Sequence, residues 1–503
     1  MIYYKFLITL KTSYKLKKFI CLFLILCSCK TDKSVILPLQ NTYKINSSDS
    51  KKEIIVKASH VVPTKNQFEA LKNEFIAFVH FGPNTFTKME WGNGMEDPKI
   101  FNLKNLDTDQ WCKTMKNAGM KMVIITAKHH DGFVLWQSRY TNHGIMSSNY
   151  KKGKGDIIKE LSNSCKKYGL KLGIYLSPAD LYQIESSGGL YGNLSSYRER
   201  IIPKRIEGRP FKNKESFLFN VDDYNEYFLN QLFELLTEYG PVSEVWFDGA
   251  HPKRKGGQKY NYLAWKKLIN TLAPNAVIFG KQDIRWCGNE SGNTRDEEWN
   301  IIPYQKDPNK LNNFKDSTAP SLGQREDLYN GQFLHYQQAE TNTSIREGWF
   351  FRDEINQKVR SADDVFDMYE RSVGGNSTFL LNIPPNRNGE FSNEDVEVLN
   401  EVGKRIKNTY NTNLFEKAFG PEKILDENDH TYELIHDNEL IIETNDKVLI
   451  NRITIKESIL THSERVEKFK LQYWKNGIWV DLFFGKNIGY KKILRFPEIR
   501  ANK

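Results

Sequence analysis

The sequence predicts an α/β protein in which a (β/α)8 barrel, of the TIM type, is followed by a small β-sandwich. Short apolar runs typical of buried strands alternate with segments of helical periodicity through residues 54–410. Polar residues follow the ends of many of these runs, as the rim of a barrel requires. No glycine-rich nucleotide-binding motif follows the first run, which argues against a doubly wound sheet. Beyond residue 411 the pattern changes to short β-rich runs, which predict a second domain.

The N-terminal residues predict a lipoprotein signal peptide over residues 1–28 and a polar tether over residues 29–53. Several lysines precede the apolar run 19–26, which is too short to cross a bilayer as a helix of about 20 residues. The sequence Leu26-Cys27-Ser28-Cys29 resembles a bacterial lipobox, and this resemblance implies cleavage before Cys29 and attachment of lipid to its sulfur. We therefore expect the protein in the periplasm or at the cell surface, held at the outer membrane by a lipid anchor only.

The barrel is assigned to residues 54–410. The candidate strands are apolar runs bounded by polar residues, at 75–80, 122–127, 172–176, 244–247, 276–280, 335–339 and 379–382. Helical periodicity between them predicts helices over 108–118, 157–168, 224–239, 262–272, 363–372 and 393–409. Since parallel strands joined by helices all end on one side of a barrel, we expect the residues that follow these strands to form a single site.

Residues 411–503 are assigned to the β-sandwich. Its candidate strands lie at 432–435, 440–443, 452–456, 467–474, 479–483 and 492–496, and Lys475-Asn476-Gly477 predicts a tight turn between two of them. The segment 466–496 resembles a galactose-binding-like sandwich. Such domains normally continue with further strands, so the end of the chain at Lys503 predicts a shortened domain.

Composition and charge argue against several classes of function. The formal charge of +10 comes from 72 basic and 62 acidic residues spread along the chain, without the basic stripe typical of a nucleic-acid-binding protein. Of the six cysteines, Cys112, Cys165 and Cys287 would stay unmodified after processing and lipidation. Because they are widely separated and form no CxxC pair, we predict buried free thiols instead of a disulfide scaffold or a structural zinc site.

The segment Lys128-His129-His130-Asp131 follows a predicted strand and offers groups for binding a substrate or a metal. A neutral imidazole presents both a donor and an acceptor, which suits the neighbouring hydroxyl groups of a sugar. Metal binding is an alternative, but adjacent residues at a strand end point in different directions, and a hydrolytic metal site needs further converging ligands. A third interpretation is that the histidines bind backbone carbonyls. We favour hydroxyl recognition.

Two carboxyl groups follow neighbouring predicted strands. Asp248 precedes Gly249 at the end of an apolar strand, which places it at the barrel mouth, although the N-cap of a helix is an alternative role. Glu290 lies in a glycine-flanked loop after the next strand. Glycoside hydrolysis with retention uses one ionised and one protonated carboxyl group about 5 Å apart, and adjacent strands can supply such a pair. Glu297 and Glu298 are rivals for the acid role, and a solvated run of charges is the alternative for all of these residues.

Taken together, these motifs resemble the α-L-fucosidases of glycoside hydrolase family 29. The resemblance covers roughly residues 63–409, and its strength comes from the order in which short motifs occur together. These motifs are Val79-His80-Phe81-Gly82, Asn84-Thr85-Phe86, Glu90-Trp91-Gly92, residues 128–133, residues 246–249, Ser344-Ile345-Arg346, Gly348-Trp349-Phe350, residues 372–377 and residues 380–385.

The resemblance implies a retaining exo-α-L-fucosidase that needs no cofactor and acts on fucosylated oligosaccharides or glycoconjugates. It implies that Asp248 is the nucleophile. The loop around Glu290 resembles the branch that acts on α-1,3- and α-1,4-linked fucose, in which Glu290 is the matching acid/base. The remaining implied site residues contact the sugar or support the rim: His80, His129 and His130 at the fucose hydroxyls, Glu90 and Trp91 beside them, Trp349 at the fucose methyl group, and Glu340 and Arg346 at the same rim.

Three alternatives stay open. The first is an α-L-fucosidase of broad linkage specificity. The second is a metal-dependent hydrolase built on His129, His130 and Asp131, which chelator sensitivity would reveal. The third is a surface glycan-binding lipoprotein without activity, against which the presence of both Asp248 and Glu290 argues.

Overall fold

The computed structural model describes residues 37–187, 189–190, 195–249, 257–435 and 438–503. Pro38–Lys503 forms one compact unit. The predicted signal peptide and Cys29 lie outside the described residues. In the part of the chain that is described, no helix is long and apolar enough to span a bilayer.

Strands and helices are numbered in chain order. The strands are β1 (Thr42–Lys44), β2 (Phe75–Val79), β3 (Met122–Lys128), β4 (Lys171–Leu176), β5 (Arg198–Ile202), β6 (Phe217–Val221), β7 (Val242–Trp246), β8 (Val277–Phe279), β9 (Ile284–Trp286), β10 (Ile301–Tyr304), β11 (Phe333–Tyr336), β12 (Gln338–Ser344), β13 (Ser377–Asn382), β14 (Val448–Ile455), β15 (Phe469–Lys475), β16 (Ile478–Gly485) and β17 (Lys492–Ala501). The helices are α1 (Lys51–Ala58), α2 (Lys65–Leu71), α3 (Pro83–Thr87), α4 (Thr108–Asn117), α5 (Ile157–Tyr168), α6 (Leu181–Glu185), α7 (Asp223–Glu238), α8 (Tyr262–Leu272), α9 (Arg325–Leu328), α10 (Ala362–Val373), α11 (Asn393–Tyr410) and α12 (Ile459–His462).

Eight parallel strands form a closed barrel, which confirms the predicted fold class. Their spatial order is β2, β3, β4, β7, β8, β9, β12, β13 and back to β2. Alternate side chains point into the barrel, where an aromatic layer that includes Phe78, Tyr175, Trp246 and Phe279 fills the interior. The other set packs against the surrounding helices. Because both faces are covered, every residue of β2, β3, β12 and β13 is buried.

The six predicted helices match α4, α5, α7, α8, α10 and α11, and the predicted ends of α5 and α8 are the observed ones. Local signals fix these ends. Asp156 caps α5 by accepting a hydrogen bond from the Lys159 N–H, and Gly169 ends the helix with a φ of 69°.

The strand predicted at residues 335–339 is wrong in its position. Residues 333–336 form β11, which pairs antiparallel with β1 and β10 outside the barrel, while the barrel strand β12 begins at Gln338. The barrel strand β9 was not predicted at all. Both errors arise because these strands lack a long apolar run. The inward side chains Glu340 and Asn342 of β12 are polar and accept hydrogen bonds from tryptophans inside the barrel, and β9 has only three residues.

The polar tether predicted over residues 29–53 is not what residues 38–53 form, because these residues are part of the folded unit. Thr42–Lys44 pairs with β11, and Ser50 caps α1 with a capping box that includes Glu53. The polar composition of this segment reflects these caps and turns, and the folded unit begins before residue 53.

The C-terminal domain consists of two two-stranded antiparallel sheets, β14 with β17 and β15 with β16. The predicted turn joins β15 to β16, and Asn476 and Gly477 have the positive φ values, 51° and 86°, of a tight hairpin turn. The strands predicted at 432–435 and 440–443 are wrong: among their described residues only Glu443 forms a bridge, to Phe419. The domain is fixed to the barrel by the Glu464 carboxylate, which accepts hydrogen bonds from Asn300 and Asn376.

The three predicted free cysteines are buried and unpaired in the structure. Cys112 of α4 and Cys165 of α5 are neighbours, with their sulfur atoms 4.0 Å apart.

Candidate active site

Asp248 lies at the mouth of the barrel, two residues beyond the end of β7. Because side chains alternate along a strand, Glu244, Trp246 and Asp248 form one inward-facing column. The Asp248 carboxylate accepts a hydrogen bond from the Tyr175 hydroxyl at 3.0 Å, and its Oδ2 lies 3.8 Å from His130 Nε2. The side chain is 27% exposed, so a ligand in the barrel mouth can reach it.

His80 follows β2, and its tautomer can be assigned from its neighbours. Asn382 Oδ1 accepts the backbone N–H of His80 at 3.1 Å and lies 2.9 Å from His80 Nδ1. The orientation of the amide is fixed, since Asn382 Nδ2 donates to Ser344 Oγ and to the Trp349 carbonyl. Nδ1 therefore carries the proton, and Nε2 is an acceptor. Burial lowers the pKa of His80 to about 3, so the ring is neutral at physiological pH.

His129 and His130 lie side by side after β3, with ring centroids 4.1 Å apart. Burial lowers the pKa of both, and for His130 the charge of Asp248 opposes this effect. Ser177 Oγ lies 2.7 Å from His130 Nδ1, and the Trp91 ring packs against His130 at 4.0 Å between centroids, tilted by 33°. Trp91 is itself 45% exposed at the mouth. The arrangement gives neutral imidazoles beside an aromatic face, which suits a sugar.

Asp131 does not complete a metal site with the two histidines. Its Oδ1 accepts the Phe133 N–H at 2.7 Å, and its Oδ2 lies 3.9 Å from His129 Nδ1 and 3.3 Å from Asn84 Nδ2. Burial raises the pKa of Asp131 to about 7, which favours the neutral form. Among all described residues, no group of three or more His, Cys, Asp or Glu side chains is arranged to hold a metal ion.

Glu290 lies in an exposed loop close enough to Asp248 for their charges to interact. Partial burial raises the pKa of Glu290, and the charge of Asp248 raises it further, while a hydrogen bond with Trp349 opposes both. Carboxyl groups whose environments differ in this way are suited to act as an acid and a nucleophile.

The two rivals for the acid role are engaged elsewhere. Glu297 pairs at 2.6 Å with Lys486 of the C-terminal domain. Glu298 is buried, and Arg285 and Arg295 lie 2.6 and 3.0 Å from its Oε1. Burial by itself would raise the pKa of Glu298, but these two guanidinium groups lower it below its usual value, so this carboxylate stays ionised.

Glu90 and Trp349 are brought together by a loop contact. Glu90 Oε2 accepts the Trp349 backbone N–H at 2.7 Å, and Glu90 Oε1 lies 3.0 Å from Arg352. The Trp349 ring packs against His80 at 5.0 Å and Phe78 at 6.2 Å between centroids. Glu90 thus holds the loop that places the Trp349 ring beside the histidines.

Arg346 holds two loops together instead of facing the barrel mouth. Its Nε donates to Asp395 at 2.8 Å, Nη1 to the Gln357 carbonyl at 2.8 Å, and Nη2 to Ser392 Oγ at 2.6 Å. Through these bonds Arg346 holds the start of α11 against the loop that follows β12.

Glu340 lies inside the barrel and not at its rim. Its two oxygens accept hydrogen bonds from Trp246 Nε1 and Thr378 Oγ1, each at 3.1 Å, and the residue is fully buried. The predicted position of Glu340 at the rim was wrong because the strand was placed too early in the sequence. In the structure β12 begins at Gln338, so residue 340 lies near the start of the strand, away from the barrel mouth.

Four further residues at the site were not predicted. Asn382 and Tyr175 both belong to predicted strands, and the polar end of the strand 379–382 was a usable signal for the first. Lys281 and Asp316 come from connecting loops without a local signal. Burial and the charge of Asp248 raise the pKa of Asp316. Burial lowers the pKa of Lys281 to about 8, although the negative charges of Asp316 and Asp248 act to raise it.

Comparison with known proteins gives consistent matches. A sequence profile of the α-L-fucosidases matches residues 71–410. Alpha-L-fucosidase 1 of Arabidopsis thaliana is 35% identical over 460 residues, which are 87% of this chain and 82% of that protein. A candidate α-L-fucosidase structure from Bacteroides ovatus is 36% identical with a TM-score of 0.78, covering 92% of this chain and 74% of that one. A Ruminococcus gnavus family 29 fucosidase in complex with fucose is 33% identical with a TM-score of 0.73, covering 88% and 90% of the two chains.

Proposed function

Because this chain belongs to glycoside hydrolase family 29, the α-L-fucosidases, we propose that it releases terminal α-1,3- or α-1,4-linked fucose with retention of configuration. One observation carries the proposal. Two carboxyl groups interact at the barrel mouth in different environments: Asp248 accepts the Tyr175 hydroxyl, whereas burial and the charge of Asp248 raise the pKa of Glu290. The hydrogen bond orients Asp248, as a nucleophile requires, and the raised pKa of Glu290 favours the protonated form that an acid requires.

In the proposed reaction the Asp248 carboxylate attacks the anomeric carbon while Glu290 donates its proton to the leaving oxygen. The product of this step is a glycosyl ester of Asp248. Glu290, now ionised, then removes a proton from a water molecule that attacks the anomeric carbon and releases fucose. The Tyr175 hydroxyl keeps the Asp248 carboxylate oriented for the attack.

Recognition of fucose is assigned to the neutral imidazoles. His80 Nε2 is an acceptor in the tautomer that Asn382 selects, so we assign to it a hydrogen bond from a sugar hydroxyl. The Trp349 ring beside His80 offers an apolar face to the fucose methyl group. His129 and His130, with Trp91 packed against the latter, bind the remaining hydroxyl groups.

Retention can be tested directly by NMR. We expect an aryl α-L-fucoside to release α-L-fucose first, followed by mutarotation, and Asp248→Ala to lose nearly all turnover while keeping its fold. Initial release of the β anomer, or a variant within tenfold of the wild-type rate, would contradict the assignment.

The linkage preference is supported by the loop around Glu290, whose sequence resembles the α-1,3/1,4-selective branch. A branched acceptor with galactose beside the fucose would contribute binding energy that orients the glycosidic oxygen toward Glu290. We therefore expect Lewis-type trisaccharides to be cleaved much faster than 2′-fucosyllactose, which carries α-1,2-linked fucose. Equal or reversed rates would favour the alternative, an α-L-fucosidase of broad specificity.

A lipid anchor at Cys29 is part of the proposal and rests on the lipobox-like sequence. Diacylation gives stable membrane association. Replacing Cys29 by Ser should move the protein from the membrane to the soluble fraction, and continued retention would show that another segment anchors it.

A further inference from the structure

The inside of the barrel contains a carboxyl pair that the proposed reaction does not use. Glu340 accepts hydrogen bonds from Trp246 and Thr378, whereas both carboxyl oxygens of fully buried Glu244 have no hydrogen-bond partner among the described residues. Such a buried carboxylate without partners is strongly destabilising, so Glu244 takes the neutral form, and Glu340, with its two donors, is the member of the pair that ionises.

The Trp246 ring links this pair to the aromatic layer above it. It stacks on Phe279 with centroids 4.0 Å apart and an interplanar angle of 6°, and on Tyr175 at 5.3 Å and 25°. Stacking on two faces prevents a ring from tilting but leaves it able to slide within its plane. The hydrogen bond from Nε1 to Glu340, at 3.1 Å, removes that freedom.

Tyr175 connects the tryptophan to Asp248. Its ring stacks on Trp246, and its hydroxyl donates to Asp248 Oδ2 at 3.0 Å. An unbroken series of contacts therefore leads from Glu340 through Trp246 and Tyr175 to the carboxylate.

We propose that Glu340 is a positioning residue for the nucleophile, which fixes the in-plane orientation of Trp246 and, through it, the tyrosine that binds Asp248. This inference rests on the proposed role of Asp248. Glu340 touches no sugar, so its loss should lower kcat with little change in KM, because His80, His129 and His130 keep their places.

The protonation of the pair supplies a second readout. Burial raises the pKa of Glu340 and of Glu244, and the charges of Glu340 and Asp283 raise that of Glu244 further. Burial also raises the pKa of Asp283, and the positive charge of Lys266 on α8 acts in the opposite direction and lowers it. As pH falls through the raised pKa of Glu340, the carboxylate becomes neutral and a weaker acceptor for the indole N–H, so kcat should fall toward acid pH.

The test compares Glu340→Gln, Glu340→Leu, Trp246→Phe and the double variant Trp246→Phe/Glu340→Leu, on an aryl α-L-fucoside. Glu340→Leu and Trp246→Phe should each lower kcat about tenfold or more, since small misplacements at a reacting centre have effects of this size. If Glu340 acts through Trp246, the double variant should be no slower than the slower single variant. Glu340→Gln keeps an acceptor oxygen, so it should stay within about threefold of wild type but lose the Glu340 component of the acid limb.

Glu234→Leu is the matched control. Glu234 is fully buried on α7 and accepts Trp136 Nε1 at 2.9 Å, which is the same kind of bond on the outer side of the barrel. It should lower stability and leave kcat of the folded enzyme unchanged. The inference is overturned if folded Glu340→Leu keeps the wild-type kcat, or if the losses of kcat in Glu340→Leu and Trp246→Phe multiply in the double variant. It is also overturned if Glu234→Leu lowers kcat as much as Glu340→Leu does. Should Glu340→Leu not fold, a Glu340→Gln pH profile identical to wild type overturns it. A wild-type enzyme that does not cleave the fucoside would instead refute the proposed function.

Discussion

The tautomer of His80 can be tested by replacing Asn382 with aspartate. In the wild-type structure Asn382 Oδ1 accepts from His80, and Asn382 Nδ2 donates to Ser344 and Trp349. The substitution changes little in shape, but it places a negative charge about 3 Å from the imidazole and removes the two donated hydrogen bonds. We expect the charge to favour the imidazolium form, in which Nε2 donates and can no longer accept from the sugar.

The size of the effect follows from the pKa of His80. Burial lowers this pKa to about 3 in the wild type, so about 99% of the ring is neutral at pH 5. A carboxylate within hydrogen-bonding distance raises a histidine pKa by about 1–3 units, which gives the variant a pKa of about 4–6. At the upper value about 90% of His80 is protonated at pH 5, and this alone lowers kcat/KM about tenfold there relative to pH 7.

The assay is kcat/KM for an aryl α-L-fucoside between pH 4 and pH 8. Because the pKa is raised, activity of Asn382→Asp should be lost as pH falls, with the limb starting at a higher pH than in the wild type. Asn342→Asp is the control, since it adds a charge in the barrel next to Trp286 and not next to His80. An acid limb that is the same in Asn382→Asp and the wild type would refute the assigned tautomer.

Three further changes test the site and its support. Glu290→Gln should lower kcat about 10²–10⁴-fold on an oligosaccharide but much less on a fucoside of an acidic phenol, which leaves without protonation; equal losses would contradict the acid role. Lys128→Met removes the buried ammonium group 3.0 Å from Asp180 and should lower the free energy of unfolding in urea by about 3–5 kcal/mol. Lys151→Met, which removes the more exposed pair with Glu160, should lower it by less than about 1 kcal/mol, and similar losses in both would show that burial is not the cause. Long incubation with EDTA should leave kcat unchanged, whereas a loss restored by zinc or manganese would favour a metal-dependent hydrolase.

Much of the fold could be predicted because its signals are local. The helices α5 and α8 have both periodicity and an N-cap residue, Asp156 or Asn261, directly before the predicted segment, and most barrel strands are apolar on both faces. Strand β12 lacks that signal, because its polar residues are satisfied by partners on other strands. No pattern within the strand itself distinguishes such residues from those of a loop.

The site shows the same limit. His129 and His130 directly follow a strand and Asp248 lies two residues beyond one, so their position at the barrel mouth could be predicted from order alone. The role of Arg346 could not, because its partner Asp395 lies 49 residues further along the chain. Asp316 lies on a distant loop, and only the fold shows that a Cβ at Gly249, the residue after Asp248, would lie 3.4 Å from its carboxylate.

The pairing of β1 with β11 has a consequence for how the enzyme meets large substrates. Only Gln337 separates β11 from β12, so β1 lies near the amino ends of the barrel strands, opposite the carboxyl ends where Asp248 is found. The compact unit begins at Pro38, shortly before β1, and therefore at the end of the barrel remote from Asp248. The carboxyl ends of the strands, which a branched glycan would have to approach, lie on the opposite side of the barrel from the residue at which the compact unit begins.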